Sequence, residues 1–331
     1  MKLETIESAA RIIYRHMPQT PQFMWPQISS AVGANVWVKH ENHTAIGAFK
    51  IRGSLSYMDW LKRTHPEVGG IVTATRGNHG QGQAMAAKAA GLVPRIYVPI
   101  GNSTEKNAAM RAFGGILIET GRDFDEARVA AQKDADQRGY AFVPPFHEAI
   151  VAGVATYALE LMRAVSDLDT IYVSIGCGSG ICGLIHVRNA LGLKTKIVGV
   201  VSERADAVKR SVAAGRPMNT ETADTFADGI ATRVIMDDAF AIYKAGAERI
   251  LTVSDEEIAA AMRLYFRATH NVAEGAGAAA LAGLMKERDA MAGRNVGVIL
   301  SGGNVDTAVF AEVLAGHTPR VGVAEAVALI S

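Results

Sequence analysis

The sequence predicts an α/β protein built on two doubly wound, mostly parallel sheets. Short β-branched runs alternate with helix-length segments through most of the 331 residues. Such alternation implies parallel strands joined by right-handed helical crossovers. The 33 glycines cluster where those runs end. The length suits two domains or one large α/β unit. At 49% apolar and 20% charged residues the composition is that of a folded chain, not a disordered one.

Taken in order, residues 4–16 read as an amphipathic helix, and Pro18, Pro21 and Pro26 mark the connection after it. Residues 35–39 alternate as a strand does and lead into Thr44–Gly53. Residues 48–64 look helical, ended by Pro66 and the glycine pair Gly69 and Gly70. Then a beat sets in: strand 71–74, helix 78–90 stopped by Gly91, strand 94–98, helix 104–113, strand 115–118, helix 123–138 closed by Gly139. A long helix at about 148–165 precedes strand 170–174, a glycine-rich turn at 176–183 opening a helix, and strand 196–201. Segments 205–214 and 237–247 look helical, and 249–253 is a strand. Ser254 caps the next helix with Glu257 at the capping-box position. An alanine-rich helix spans 276–287, and strand 295–300 runs into Ser301-Gly302-Gly303-Asn304. The expected organisation is a large domain of 1–47 plus 151–331 and a small one of 48–150.

Composition excludes several functions. A net charge of +1 offers no electrostatic footprint for nucleic acid or an anionic membrane. No apolar run reaches the length of a membrane span, and the Met1–His16 segment lacks the apolar centre of a secretory signal. Cys177 and Cys182 are too few for a disulfide scaffold or a four-cysteine zinc site. A cytoplasmic protein with a small-molecule partner is expected.

In open α/β sheets ligands bind outside the carboxyl ends of the strands, and four strand ends carry unusual residues. Lys50 follows the first, between Phe49 and Ile51. An ordinary lysine lies on a solvated face, but apolar flanks favour a desolvated, nucleophilic amine of the kind a Schiff base needs. Thr75-Arg76-Gly77-Asn78-His79-Gly80 follows the second. It reads either as a structural cap or as a cluster of donors for a carboxylate or phenolate oxygen. Gly176-Cys177-Gly178-Ser179-Gly180 follows the third. There backbone N–H groups at a helix N-terminus form an anion cup, or the glycines merely allow tight helix–strand packing. The same loop contains Gly178-x-Gly180-x-x-Gly183, with Glu203 twenty residues on. Those are the conditions of a dinucleotide fingerprint and of an NAD-dependent oxidoreductase, a rival reading that leaves Lys50, the Asn78 turn and Ser301 unexplained. Ser301, at the fourth end, either starts a helix or offers a neutral hydroxyl to a ring nitrogen. His40 and His43 flank Glu41 with no metal-site spacing, so no metal is assigned to them.

Taken together, these residues resemble the fold-type II pyridoxal-phosphate enzymes, and within them the threonine/serine dehydratases (ammonia-lyases), relatives of serine racemase. The resemblance covers nearly the whole chain, with Phe49-Lys50-Ile51-Arg52-Gly53, Gly77-Asn78-His79, Gly176–Gly180 and Ser301-Gly302-Gly303-Asn304 in the family's order. Ala227-Asp228-Gly229 and Glu274-Gly275-Ala276-Gly277 also resemble cleft-lining segments. It implies a tryptophan synthase beta-like fold with pyridoxal 5'-phosphate in the cleft between the domains, the large domain holding cofactor and the small one facing substrate. Lys50 is the implied Schiff-base residue and general base for the Cα proton. Phe49 is implied as a wall of the slot, Asn78 as partner of the phenolic oxygen, Gly176 to Gly180 with Cys177 and Ser179 as the phosphate cup, and Ser301 as partner of the ring nitrogen. Thr75, Arg76, Gly77, Asn78 and His79 are implied around the substrate. The implied reaction is loss of water and ammonia from a β-hydroxy amino acid, L-threonine or L-serine first, by a homodimer or homotetramer. Hydroxyaspartate, phenylserine and a hydroxyectoine-pathway intermediate are alternative substrates, and a non-catalytic phosphate-binding protein is the alternative outside enzymes.

Three departures from the family pattern stand out. Arg76 occupies a position where many relatives carry serine, the second acid/base of the racemases. A guanidinium is always charged and cannot shuttle a proton as a hydroxyl does, so racemisation is not expected and an anion-holding role is. The phosphate cup reads Gly-Cys-Gly-Ser in place of four glycines. Glu203 is a weak candidate for the cation that relatives place near the cup, since the basic segment after it matches poorly. The chain ends at Ser331 with no regulatory domain, so feedback control by isoleucine is not expected.

Overall fold

A computed structural model of the chain describes residues 1–320; the last part of the large domain expected above, 321–331, lies outside the described residues. The strands in chain order are β1 (Gln22–Met24), β2 (Asn35–His40), β3 (Gly70–Ala74), β4 (Val93–Val98), β5 (Ile116–Glu119), β6 (Ala141–Phe142), β7 (Thr170–Ser174), β8 (Lys196–Ser202), β9 (Arg249–Val253) and β10 (Asn295–Leu300). They form a six-stranded sheet in the order β1-β2-β10-β7-β8-β9 and a four-stranded sheet in the order β5-β4-β3-β6. Every pairing is parallel except β1 with β2. Two mostly parallel sheets is thus the observed architecture, and nearly every β-branched run read from the sequence is a strand.

The differences are short elements. Residues 18–26, read as a connection, contain edge strand β1, followed by helix Pro26–Val32 with Pro26 in its first turn and Gly33 in the left-handed region (φ 77°) at its end. β6 has two residues and also went unread. Strands this short are defined by the neighbour they pair with, and local propensity does not mark them. Helix Thr307–Leu314 follows the Ser301–Asn304 turn.

Helix Glu148–Ala164 is buried at every position from Ile150 to Met162, as a helix apolar all round must be. The main core runs from Ile6 and Ile13 through Ile51, Leu55 and Met58 to Val154, Ile171 and Val173, so one apolar cluster serves both sheets. Glycines set the approach of the helices around Lys50. A Cβ on Gly153 would lie 2.3 Å from the Arg52 carbonyl oxygen, and one on Gly82 would lie 2.7 Å from Ser54 Oγ.

A buried charge network anchors the same helix. Arg52, fully buried, donates to Glu41 (2.7 and 3.0 Å), Glu160 (2.6 and 2.9 Å) and Thr156 (2.9 Å). Lys39 Nζ completes it with Glu160 at 2.6 Å and the Thr20 carbonyl at 2.6 Å. Burial alone would lower the Arg52 pKa, but the two carboxylates hold it above its ordinary value. Two cations and two carboxylates leave the network neutral, which is the condition for burying it.

Candidate active site

The chain leaves β2 at His40 and reaches Lys50, the first residue of helix Lys50–Thr64, through a loop stitched to the turn after β10. Phe49 N–H donates to the Ser301 carbonyl (3.0 Å), Gly303 N–H donates to the Gly47 carbonyl (2.9 Å), and Ala48 bridges Gly302. The first and fourth strand ends are therefore one structural unit. Lys50 is half-buried, with Nζ 4.7 Å from the centroid of the Phe49 ring. Phe49 in turn stands edge-on to Tyr157 at 6.1 Å between centroids. Burial lowers the Lys50 pKa, opposed in part by the Glu274 carboxylate. Among the described residues no hydrogen bond or ion pair engages its amine.

Asn78 begins helix Asn78–Ala89, and its amide is held at both ends: Nδ2 donates to Glu274 Oε1 (2.7 Å), and Oδ1 accepts from Asn304 Nδ2 (2.8 Å). His79 is pushed down to about 3, first by burial and then by the nearby Lys50 charge, so its ring is neutral; Nε2 is buried with no partner among the described residues. Thr75 is buried, and its hydroxyl accepts from Gly77 N–H at 3.1 Å. Arg76 is different. It is exposed, its carbonyl accepts from Asn102 Nδ2 (3.2 Å), and among the described residues its guanidinium has no partner.

The third strand end faces the same place, since the Cys177 thiol lies within electrostatic reach of Lys50. Gly178 precedes helix Ser179–Ala190 with φ +97°, a conformation that favours glycine. Among the described residues the N–H groups of Gly176, Cys177 and Gly178 meet no acceptor, and the helix dipole adds positive potential there. A Cβ on Gly176 would sit 2.3 Å from the Gly229 carbonyl. Burial raises the Cys177 and Cys182 thiol pKa values, that of Cys182 to about 12, so both are protonated.

Three residues of this region escaped the reading of the sequence or were only grazed by it. Glu274, buried beside Asn78, is pushed up to about 7 by burial, against the pull of Lys106, Asn78 and Lys50 and with the push of Asp228. Asn304 stands in the sequence only as the end of the Ser301-Gly302-Gly303-Asn304 motif with no role of its own, and Lys106 carried no sequence signal. Lys106 pairs with Asp228 at 2.6 Å, Ser103 Oγ donates to Asp306 at 2.6 Å, and Thr307 N–H donates to Glu105 at 2.9 Å. Together these contacts tie the start of helix Thr104–Ala112, beside the four-stranded sheet, to loops of the six-stranded one. Glu203 stands apart from this cluster, 3.4 Å from Lys286. Among the described residues no group of three or more His, Cys, Asp or Glu is placed to hold a metal.

The family profile described as "Pyridoxal-phosphate dependent enzyme" matches residues 13–302. The chain belongs to the pyridoxal-phosphate-dependent enzymes. Within this family it is 32% identical over 297 residues to a biosynthetic L-threonine dehydratase of Haemophilus influenzae, an alignment covering 89% of this chain. The chain spans only 58% of that relative's length. It is 30% identical to the L-threo-3-hydroxyaspartate ammonia-lyase of Saccharomyces cerevisiae, over 93% of this chain and 94% of the relative. Among solved structures, maize serine racemase superimposes with a TM-score of 0.89 at 26% identity, covering 95% of this chain and 97% of that one. The fold is that of the fold-type II members. The family's cofactor displaces the NAD reading of the glycine loop, and Glu203 pairs with Lys286.

The residues present fit pyridoxal phosphate. Among the described residues the Lys50 amine is uncommitted, as suits an aldehyde, the amides of 176–178 are unpaired, as suits a phosphate, and the buried His79 Nε2 is left without a partner. Among the described residues no helix is long and apolar enough to cross a membrane.

Proposed function

We propose that this chain is an ammonia-lyase that removes water and ammonia from a β-hydroxy amino acid, with L-threonine and L-serine as substrates and a 2-oxo acid as product. The observation that carries the reading is the Lys50 amine, desolvated and, among the described residues, free of partners where the four strand ends converge. In this reading residues 1–47 and the chain from 151 onward hold the cofactor, and residues 48–150 face the substrate.

Lys50 would hold the cofactor through its amine, and Phe49 would wall the slot. Asn78 meets the phenolic oxygen, Gly176–Gly180 with Cys177 and Ser179 cradle the phosphate, and Ser301 meets the ring nitrogen. When bound, the cofactor supplies the electron sink for the substrate's Cα. The chain supplies geometry and proton transfer. A lowered lysine pKa leaves a larger fraction of neutral amine to take the Cα proton near neutral pH. The Ser301 hydroxyl would present a neutral partner to the ring nitrogen and, unlike a carboxylate, would not hold a proton there. Thr75, Gly77, Asn78 and His79 surround the substrate carboxylate, with Asn78 offering its backbone N–H at a helix start. The net balance is one β-hydroxy amino acid giving one 2-oxo acid and ammonia: the water lost in elimination is returned in hydrolysis of the released enamine.

A second reading is supported by Arg76, exposed and without a partner among the described residues, and by Lys106, whose stem approaches Gly77. A substrate with a second carboxylate, such as 3-hydroxyaspartate, would use them, in keeping with the yeast relative. The test is a panel of β-hydroxy amino acids assayed for 2-oxo acid release. Threonine and serine turnover is expected; no oxo acid from any member would remove the proposal.

A further inference from the structure

We infer that Glu274 and Asn304 together fix which way the Asn78 amide faces, and that Glu274 is thereby a positioning residue for the cofactor's phenolic oxygen. The inference rests on the partnership of Asn78 with that oxygen proposed above and goes beyond it by naming what enforces it.

A side-chain amide can turn end for end, exchanging donor and acceptor. Here each link fixes the next. Asn304 Nδ2 donates to the Ile46 backbone carbonyl at 2.7 Å, and a carbonyl can only accept, so the nitrogen end of Asn304 is determined. The same nitrogen is 2.8 Å from Asn78, which must therefore present Oδ1. That places Asn78 Nδ2 against Glu274 Oε1 at 2.7 Å, where an ionised carboxylate can only accept. One N–H of Asn78 is spent on Glu274. The second has no partner among the described residues and is left for an oxygen in the cleft.

The backbone is shaped around this relay. A Cβ on Gly47, itself at φ +69°, would lie 2.6 Å from Asn304 Oδ1, and one on Gly302 would lie 2.5 Å from Glu274 Oε1. Glu274 N–H also donates to the Gly302 carbonyl at 3.1 Å. The glycines of the two stitched loops thus leave room for both ends of the relay.

Glu274 holds the acceptor end only while ionised. It faces Lys106 from helix Thr104–Ala112, Lys50 from helix Lys50–Thr64, Asp228 from the turn Asp228–Ile230 and the uncharged Asn78 from the start of its own helix. Burial and Asp228 outweigh the two lysines, so the carboxyl titrates at about 7. Protonation replaces a charge-assisted hydrogen bond with a weaker neutral one and loosens the amide that faces the cofactor.

The test needs no substrate, so an error in the substrate assignment leaves it intact. Cofactor-loaded wild type, Glu274→Gln and Asn304→Ala are titrated from about pH 5 to about pH 9, and their visible absorbance is recorded. Wild type should show one reversible band shift centred near neutral pH. Glu274→Gln keeps an oxygen for Asn78 to donate to, and should stay coloured with the shift abolished. Asn304→Ala frees the amide to turn and should bind pyridoxal phosphate about tenfold more weakly, as one lost hydrogen bond implies. A wild type with no shift, a shift unchanged in Glu274→Gln, or undiminished cofactor affinity in folded Asn304→Ala would each overturn the inference. A wild type that takes up no cofactor would overturn the proposed function itself.

Discussion

Arg52 and Glu160 lie 108 positions apart in the chain and meet through two charge-assisted hydrogen bonds, Nη1 to Oε1 at 2.6 Å and Nη2 to Oε2 at 2.9 Å. Both are buried, and Arg52 is two residues past Lys50. Removing the guanidinium in Arg52→Leu leaves Glu41 and Glu160 with Lys39 as their one buried cation. Breaking a buried ion pair from one side costs roughly 3–5 kcal/mol. Denaturant unfolding of the cofactor-free variant should show a loss of that size. A loss below about 1 kcal/mol would mean that the network is not what holds the lysine helix in place.

The pair Lys106–Asp228 joins helix Thr104–Ala112 to the turn Asp228–Ile230, but Asp228 is half exposed. Partly exposed pairs contribute about 0.2–1 kcal/mol. Asp228→Asn should therefore leave the melting temperature nearly unchanged and raise KM for the amino acid roughly two- to fivefold. An unchanged KM would show that the contact plays no part in closing the cleft.

Arg76 is exposed and without a partner among the described residues, so it is available for an anion and dispensable for the fold. Arg76→Ser should keep threonine turnover within about twofold and lower hydroxyaspartate turnover about tenfold, the effect of one hydrogen bond to a charged group. Equal losses on both substrates would exclude a second-carboxylate role.

The fold was legible because parallel strands buried on both faces read as compact apolar runs, and helices such as Phe124–Arg138 and Asp255–Thr269 carry recognisable caps. β1 and β6 were not legible, because two or three residues carry no period. The site was legible where backbone does the work: glycines at 77, 176, 178 and 302 mark strand ends whatever the partner. Side-chain relations across the cleft were hidden. Lys39 reads as a solvent-facing position of an alternating strand, yet it is fully buried because Glu160 waits for it. Lys106 looks like any charged residue on a polar helix until Asp228 is placed opposite. Asn304 follows two glycines and reads as turn chemistry, while its nitrogen serves Ile46 and Asn78.

Glu274 makes a stability prediction separate from its role toward the cofactor. Its folded-state pKa, about 7, lies above the ordinary 4.5, chiefly through burial. The folded state thus favours the protonated form, and cofactor-free protein loses stability as pH rises from about 4.5 to about 7. Glu274→Gln removes that cost. It should gain at most about 3 kcal/mol over wild type near pH 8 and little near pH 4. Equal stabilities near pH 8, measured by denaturant unfolding without cofactor, would show that the carboxyl is not strained by burial.

The central claim concerns one atom, the Lys50 amine. Wild-type protein purified with pyridoxal phosphate and treated with borohydride should be yellow beforehand and irreversibly bleached afterwards, with the cofactor mass fixed on the peptide that contains Lys50. Lys50→Ala should keep the wild-type circular dichroism and lose both the covalent chromophore and the activity. A cofactor mass fixed on another residue, or a Lys50→Ala protein that still traps cofactor with borohydride, would contradict the account.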